Sequence, residues 1–270
     1  MSYLTLPTYL DQPEIILFYQ TWGSKDSSNK IVIVHELGGS SESFVNFAKH
    51  LSIDHFVIAF DQRCAGRSEK PIRSFSLFDL SNDLLRLLDA LGIQEPINVM
   101  GLAMGAVVSV HFAISYPQRI KKLILCDGTS TVDKISSEYL LKRAQKVSKE
   151  GIRNAMQSTL INSFKGLIDA DFSNVFMDYA DLFYSNSSQC YAMHMEALAN
   201  FNLSDEDFLK INIPTFVTTG ENDVIWPPDV GEQLSKKIPN SIFEIIGNTA
   251  HFPPIQQSEI YAFKVKKFIN

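Results

Sequence analysis

The chain has 270 residues, enough for one large domain, or a core with an insertion, around a sizeable apolar interior. With 45% hydrophobic and 20% charged residues it reads as soluble and globular, and a formal net charge of −6 argues against nucleic acid or an anionic membrane as partner. No apolar run approaches the ~20 residues of a membrane span, Met1 to Leu10 lacks a signal-peptide pattern, and Lys267-Phe268-Ile269-Asn270 matches no retention or peroxisomal signal, so the cytoplasm is the expected compartment.

In chain order, Glu14 to Gln20 is packed with β-formers and predicts a strand. Ile31-Val32-Ile33-Val34 is a continuous β-branched run, expected to be a strand buried on both faces. It ends in His35-Glu36-Leu37-Gly38-Gly39, after which Ser40 or Ser41 caps a helix reaching Leu51. Phe56 to Phe60 is the next strand, and Leu77 to Leu91 carries leucines at helical spacing up to Gly92. Ile97 to Leu102 predicts a strand, and Met104 to Tyr116 a helix apolar on nearly every side, stopped by Pro117. Leu123 to Cys126 is another buried strand, ending at Asp127-Gly128.

This alternation implies βαβ units, a parallel sheet and helices on both of its faces. In such sheets ligands bind beyond the carboxyl ends of the strands, where His35, Asp61, the Gly101–Gly105 segment and Asp127 fall. From about Thr129 to Lys210 only helical patterns occur: Ile135 to Val147, Ile152 to Phe164, Phe172 to Phe183 and Cys190 to Phe201. That is too long for a loop. The expected organisation is a core over 1–128 and 211–270 with a helical cap over 129–210, whose aromatic and methionine side chains suit an apolar pocket roof. Ile213 to Thr219 resumes the sheet, followed by a helix over Gly231 to Ile238, a strand over Ser241 to Ile246 and a helix over Ser258 to Phe268.

Cys64, Cys126 and Cys190 are few, scattered and odd in number, so they are expected to be free thiols in a reducing compartment. No Cys-x-x-Cys pair, phosphate loop or dinucleotide fingerprint is present, and neither metal nor cofactor is expected. The expected partner is a small-molecule substrate, with the chain a monomer or a homodimer.

Four segments carry a resemblance. They are His35-Glu36-Leu37-Gly38; Asp61-x-Arg63-x-x-Gly66-x-Ser68; the strand–turn–helix around Gly101-Leu102-Ala103-Met104-Gly105; and Gly220-x-x-Asp223 together with His251-Phe252-Pro253. In order and spacing they resemble the α/β-hydrolase family, whose nucleophile elbow reads Gly-x-Ser-x-Gly. The resemblance covers nearly the whole chain. It implies an α/β fold with a mostly parallel eight-stranded sheet, and a helical cap between the sixth and seventh strands.

By position it puts the nucleophile at Ala103, the acid at Asp223 and the base at His251. Such a triad works because imidazole takes the serine proton near neutral pH while a carboxylate fixes its tautomer. Asp127 competes for the acid role, since some family members take the acid from that strand. The backbone N–H groups of Leu37 and Met104 match the oxyanion hole. Glu36 stands where many relatives have Gly; it either contacts a polar substrate group or faces water. Trp226 is expected to line the pocket or to pack beside it. Asp61 is expected to brace its loop with Arg63. His35, His50, His55, His111 and His194 read as structural, with His194 also a candidate for the pocket wall.

Ala103 has no hydroxyl. Three readings follow: a serine hydrolase for esters, lactones or related acyl bonds whose serine has been changed to alanine; a natural non-hydrolytic enzyme using Asp223–His251 as general base; or a ligand-binding protein that keeps the pocket without the chemistry.

Overall fold

The computed structural model describes residues 1–9, 12–167 and 173–270. Eight strands form one sheet in the order β1-β2-β4-β3-β5-β6-β7-β8. They are β1 (Ser2–Leu6), β2 (Ile15–Trp22), β3 (Lys30–Val34), β4 (Phe56–Phe60), β5 (Ile97–Leu102), β6 (Ile120–Cys126), β7 (Thr215–Gly220) and β8 (Ser241–Ile246). β2 runs antiparallel to β1 and β4, and every other neighbouring pair is parallel. β1 and the antiparallel edge it makes are absent from the expectations above.

The two-residue period of the strands divides the core into two layers. Val32 and Val34 face α2 (Leu77–Ala90) and α3 (Met104–Ser115). Ile31 and Ile33 face α1 (Val45–Leu51) and α11 (Ser258–Ile269), where Phe44, Phe47 and Tyr261 fill the space. Hence Ile31 to Val34 is fully buried, and α3 needs no polar face. A 3₁₀ turn, Ser41–Phe44, opens the segment leading to α1 and is capped by the Ser40 side chain.

Between β6 and β7 lie α4 (Lys134–Glu150), α5 (Ile152–Ser163), α6 (Ser173–Tyr184), α7 (Ser188–Ala199) and the short α8 (Asp205–Leu209). Phe172, the expected start of the third of these patterns, lies outside the described residues. After β7 come α9 (Pro228–Lys237) and, beyond β8, the short α10 (Pro253–Gln256). No helix among the described residues is long and apolar enough to cross a membrane.

Two expectations are overturned. Cys64 and Cys190 are joined in a disulfide, and only Cys126 is free and buried. The pair lies 126 positions apart in sequence, and the fold brings the loop after β4 against α7. The inference of a reducing compartment, which rested on free thiols, loses that support. Nor does Asp61 brace Arg63. Asp61 accepts from Ser41 N, Ser41 Oγ and Arg67 N at 2.6 to 2.7 Å. Arg63 turns to the other side and forks onto Asp83 of α2 at 2.6 and 2.7 Å.

Candidate active site

The turn between β5 and α3 is a tight junction. Ala103 sits there at φ 50°, ψ −116°, a region L-residues rarely occupy. Its two flanking glycines are required by close approach. A Cβ on Gly101 would lie 2.2 Å from Gly105 O, and one on Gly105 would lie 2.1 Å from Val34 O. Strand and helix therefore touch, and the residue at the apex is pushed out toward the cavity above the sheet.

Asp223 follows β7. Its Oδ1 accepts from Ile225 N at 2.8 Å and Trp226 N at 3.2 Å, which ties the loop to the side chain and leaves Oδ2 for His251 Nδ1 at 2.7 Å. Burial pushes the Asp223 carboxyl up, but the His251 ring beside it and the bonds it accepts outweigh this and hold it below the ordinary value. His251 follows β8. Its N–H donates to Ser163 O, and Gln256 holds the loop from both sides, accepting from Ala250 N and donating to Ser163 O. The His251 loop is thus fixed partly from α5. Trp226 packs edge-on to the His251 ring at 5.7 Å.

Asp127 is not the partner of His251. It lies beneath Asp223, fully buried, at φ 46°, accepting from Gly220 N at 2.9 Å. Burial, and then the charge of Asp223, push its carboxyl well above the ordinary range. Asp127, Asp223 and His251 each bring a ligand-type atom within 4.8 Å of the others. The carboxyl oxygens accept from the His251 ring, from backbone N–H groups and from Cys126 Sγ.

A cavity of about 480 Å³ lies over these groups, within the range of small-molecule sites. Ala103, Met104, Leu37, His251 and Trp226 line it from the sheet, and Tyr139, Met156, Phe183 and Tyr191 from the helices between β6 and β7. Neither Leu37 N–H nor Met104 N–H has an acceptor among the described residues. Met104 opens α3, where the first N–H groups of a helix are unused and carry partial positive charge.

Glu36 borders the cavity but does not face water, being 1% exposed. Its Oε1 accepts from Ser43 Oγ at 2.8 Å, while Oε2 and the nearby Tyr179 hydroxyl make no formed hydrogen bond. Burial raises its carboxyl pKa, offset in part by His35, Ser43 and Tyr179. His35 is structural: Nδ1 meets Glu36 O at 2.7 Å and Nε2 accepts from Gln62 N at 3.0 Å. His194 is buried against Phe75 and is not among the residues lining the cavity. His55 pairs with Asp54, and His111 packs on Phe201. Two residues of this region had no signal as ligand groups in the sequence: Tyr179, beside Glu36, and Arg143 of α4, which lines the cavity. Only helical spacing from Ile135 and Tyr139 hinted at the second.

The profile of the alpha/beta hydrolase fold family matches residues 29–257. The chain is 23% identical to 3-oxoadipate enol-lactonase 2 of Acinetobacter baylyi, over 95% of this chain and 94% of that protein. Among solved structures it is similar to an enol-lactonase from Burkholderia xenovorans LB400, with TM-score 0.88 and 25% identity over 94% of this chain and 96% of the other. It is also similar to a thermophilic esterase from Thermogutta terrifontis, with TM-score 0.93 and 24% identity over 100% and 98% of the two chains.

Proposed function

The chain belongs to the alpha/beta hydrolase fold family, and from that premise we propose that its site is built to cleave an ester, lactone or related acyl bond by serine chemistry, with Ala103 standing where a serine acts. The helices between β6 and β7 then serve as a cap that shapes the substrate cavity. The relatives named above as enol-lactonases and an esterase are in keeping with this bond type.

The observation that carries the reading is the conformation of Ala103. Backbone strain of this kind costs on the order of 1–3 kcal/mol and persists where function uses it. A methyl group uses nothing. A hydroxyl in its place would project into the cavity that His251 lines, with Asp223 holding the far side of the ring.

The steps follow from these positions. His251 takes the serine proton as the oxygen attacks the acyl carbon. Leu37 N–H and Met104 N–H receive the developing oxyanion. His251 returns the proton to the departing alkoxide, and water, activated by the same ring, then releases the acid. With alanine the first bond cannot form. Ala103→Ser is expected to raise the hydrolysis of short p-nitrophenyl esters and lactones by at least ~10³-fold over the unsubstituted chain. No gain would sink the proposal.

A second reading has one observation in its favour: the Asp223–His251 pair is complete without a serine. It would act as general base on water or on a substrate proton. Turnover by the unsubstituted chain that His251→Ala abolishes, with no gain from Ala103→Ser, would select it.

A further inference from the structure

α4 presents one stripe to the cavity. Ile135, Tyr139 and Arg143 recur at every fourth position and all three line it. The guanidinium of Arg143 is held in place by neutral groups. Nη1 donates to the Tyr139 hydroxyl at 2.6 Å, and Nη2 donates to Thr159 Oγ1 at 2.6 Å and Ala155 O at 3.1 Å. Met156 Sδ lies 3.0 Å from Nη2. Nε–H and one N–H of Nη1 are left without an acceptor among the described residues.

Among the described residues, no carboxylate meets this charge. Arg63 and Arg86 share Asp83, and Arg119 pairs with Asp89. Arg143 has no such partner among the described residues. It is the only Lys or Arg among the described residues that line the cavity, and the only acidic side chain there is Glu36, whose carboxyl is engaged with Ser43. A half-buried cation held by neutral groups of α4 and α5, with no carboxylate partner among the described residues, suits a planar anion.

We infer that Arg143 binds a carboxylate carried by the substrate, so that the bond cut belongs to an ester or lactone with a free acid group elsewhere in the molecule. This rests on the hydrolytic reading only for the identity of the scissile bond. Arg143 is then the specificity-determining residue, set in the wall opposite the sheet-borne groups that do the chemistry. Because Tyr139, Thr159 and Ala155 fix its position beforehand, little side-chain freedom is lost when the anion arrives.

Calorimetric titration of the unsubstituted chain, which lacks the serine hydroxyl, tests this directly. Monomethyl glutarate, an anion at pH 7, is expected to bind about tenfold tighter than its neutral counterpart dimethyl glutarate. Arg143→Gln should bring the ratio to about one, and Arg143→Lys should retain part of it, because lysine keeps the charge without the fork. Raising sodium chloride to about 0.5 M should shrink the preference. Equal affinities, no binding of either ester, or a preference that survives Arg143→Gln would each overturn the inference. Should Arg143→Gln fail to fold, the lysine variant and the salt series decide. An Ala103→Ser protein that hydrolyses neutral and anionic esters equally would refute Arg143 as anion site while leaving the esterase reading intact. Preferential binding without any esterase gain would do the reverse.

Discussion

Two clusters of buried charge lie on this molecule, one behind the loop that follows β4 and one at the ends of β6, β7 and β8. In the first, Asp83 is met by Arg63 at 2.6 and 2.7 Å and by Arg86 at 3.0 Å, and Arg86 also donates to Leu6 O, Pro7 O and Pro13 O. Every charge has a partner, and the cluster ties α2 to the N-terminal segment. In the second, two carboxyl groups lie close to one imidazole, and only Asp223 bonds to it. In the first cluster the paired charges tie separate elements together; in the second, two carboxyl groups crowd one another, and the Asp127 carboxyl is pushed up.

The largest expected effect tests the second cluster. In the Ala103→Ser background, Asp223→Asn or His251→Ala should lower kcat/KM by roughly 10³- to 10⁴-fold. The urea midpoint should shift far less than for substitutions in the first cluster. A variant that loses stability in place of activity would erase the distinction drawn here.

Next in size is the converse. Asp83→Ala strips Arg63 and Arg86 of their shared carboxylate, and breaking a buried pair from one side costs about 3–5 kcal/mol. Urea unfolding should report that loss, while the folded fraction keeps its affinity for ligand. An unchanged midpoint would mean that water already screens the first cluster.

His194 sharpens the comparison from the structural side. Burial, with His35 and Arg63 beside it, lowers its pKa to about 3. Unfolded, a histidine titrates near ~6.5. Between these values the unfolded chain binds the proton and the native one does not, so stability is full above the unfolded value and is lost as pH falls below it. The share due to His194 should reach about 2 kcal/mol between pH 7 and pH 5. Urea melts at the two pH values should show it, and His194→Gln should remove that share of the difference.

Much of the sheet was legible because buried parallel strands read as unbroken apolar runs. Ile31 to Val34 and Phe56 to Phe60 needed no context. The order of Gly101-x-Ala103-x-Gly105, Asp223 and His251 marked residues that the fold brings together for the same reason: each is punctuation at the end of a strand. What failed was contact across sequence. Asp61 and Arg63 are close in the chain, but their side chains turn to opposite partners. Cys64 and Cys190 meet only because α7 packs over the loop after β4. β1 was missed because its residues are largely exposed and lack an apolar run. The anchoring of the His251 loop on Ser163 likewise depends on where α5 lands, which no local pattern encodes.

The smallest expected effect bears hardest on the comparison, because it asks whether Asp127 carries charge. Burial and the charge of Asp223 push its carboxyl well above the ordinary range, which favours the protonated form able to donate toward the Asp223 carboxylate. Asparagine has the same shape, keeps an oxygen for Gly220 N–H, keeps a donor for Asp223, and tolerates the positive φ found here. Asp127→Asn in the Ala103→Ser background should therefore leave kcat/KM within about threefold and the acid limb of the pH profile unmoved. Asp127→Ala removes both bonds and leaves Gly220 N–H buried without an acceptor. That variant should lose about 1–3 kcal/mol of stability and roughly tenfold in kcat/KM, with a shifted acid limb. A loss from Asp127→Asn as large as from Asp223→Asn would make Asp127 the charged acid, and the second cluster would then be matched like the first, with Asp223 as its neutral member.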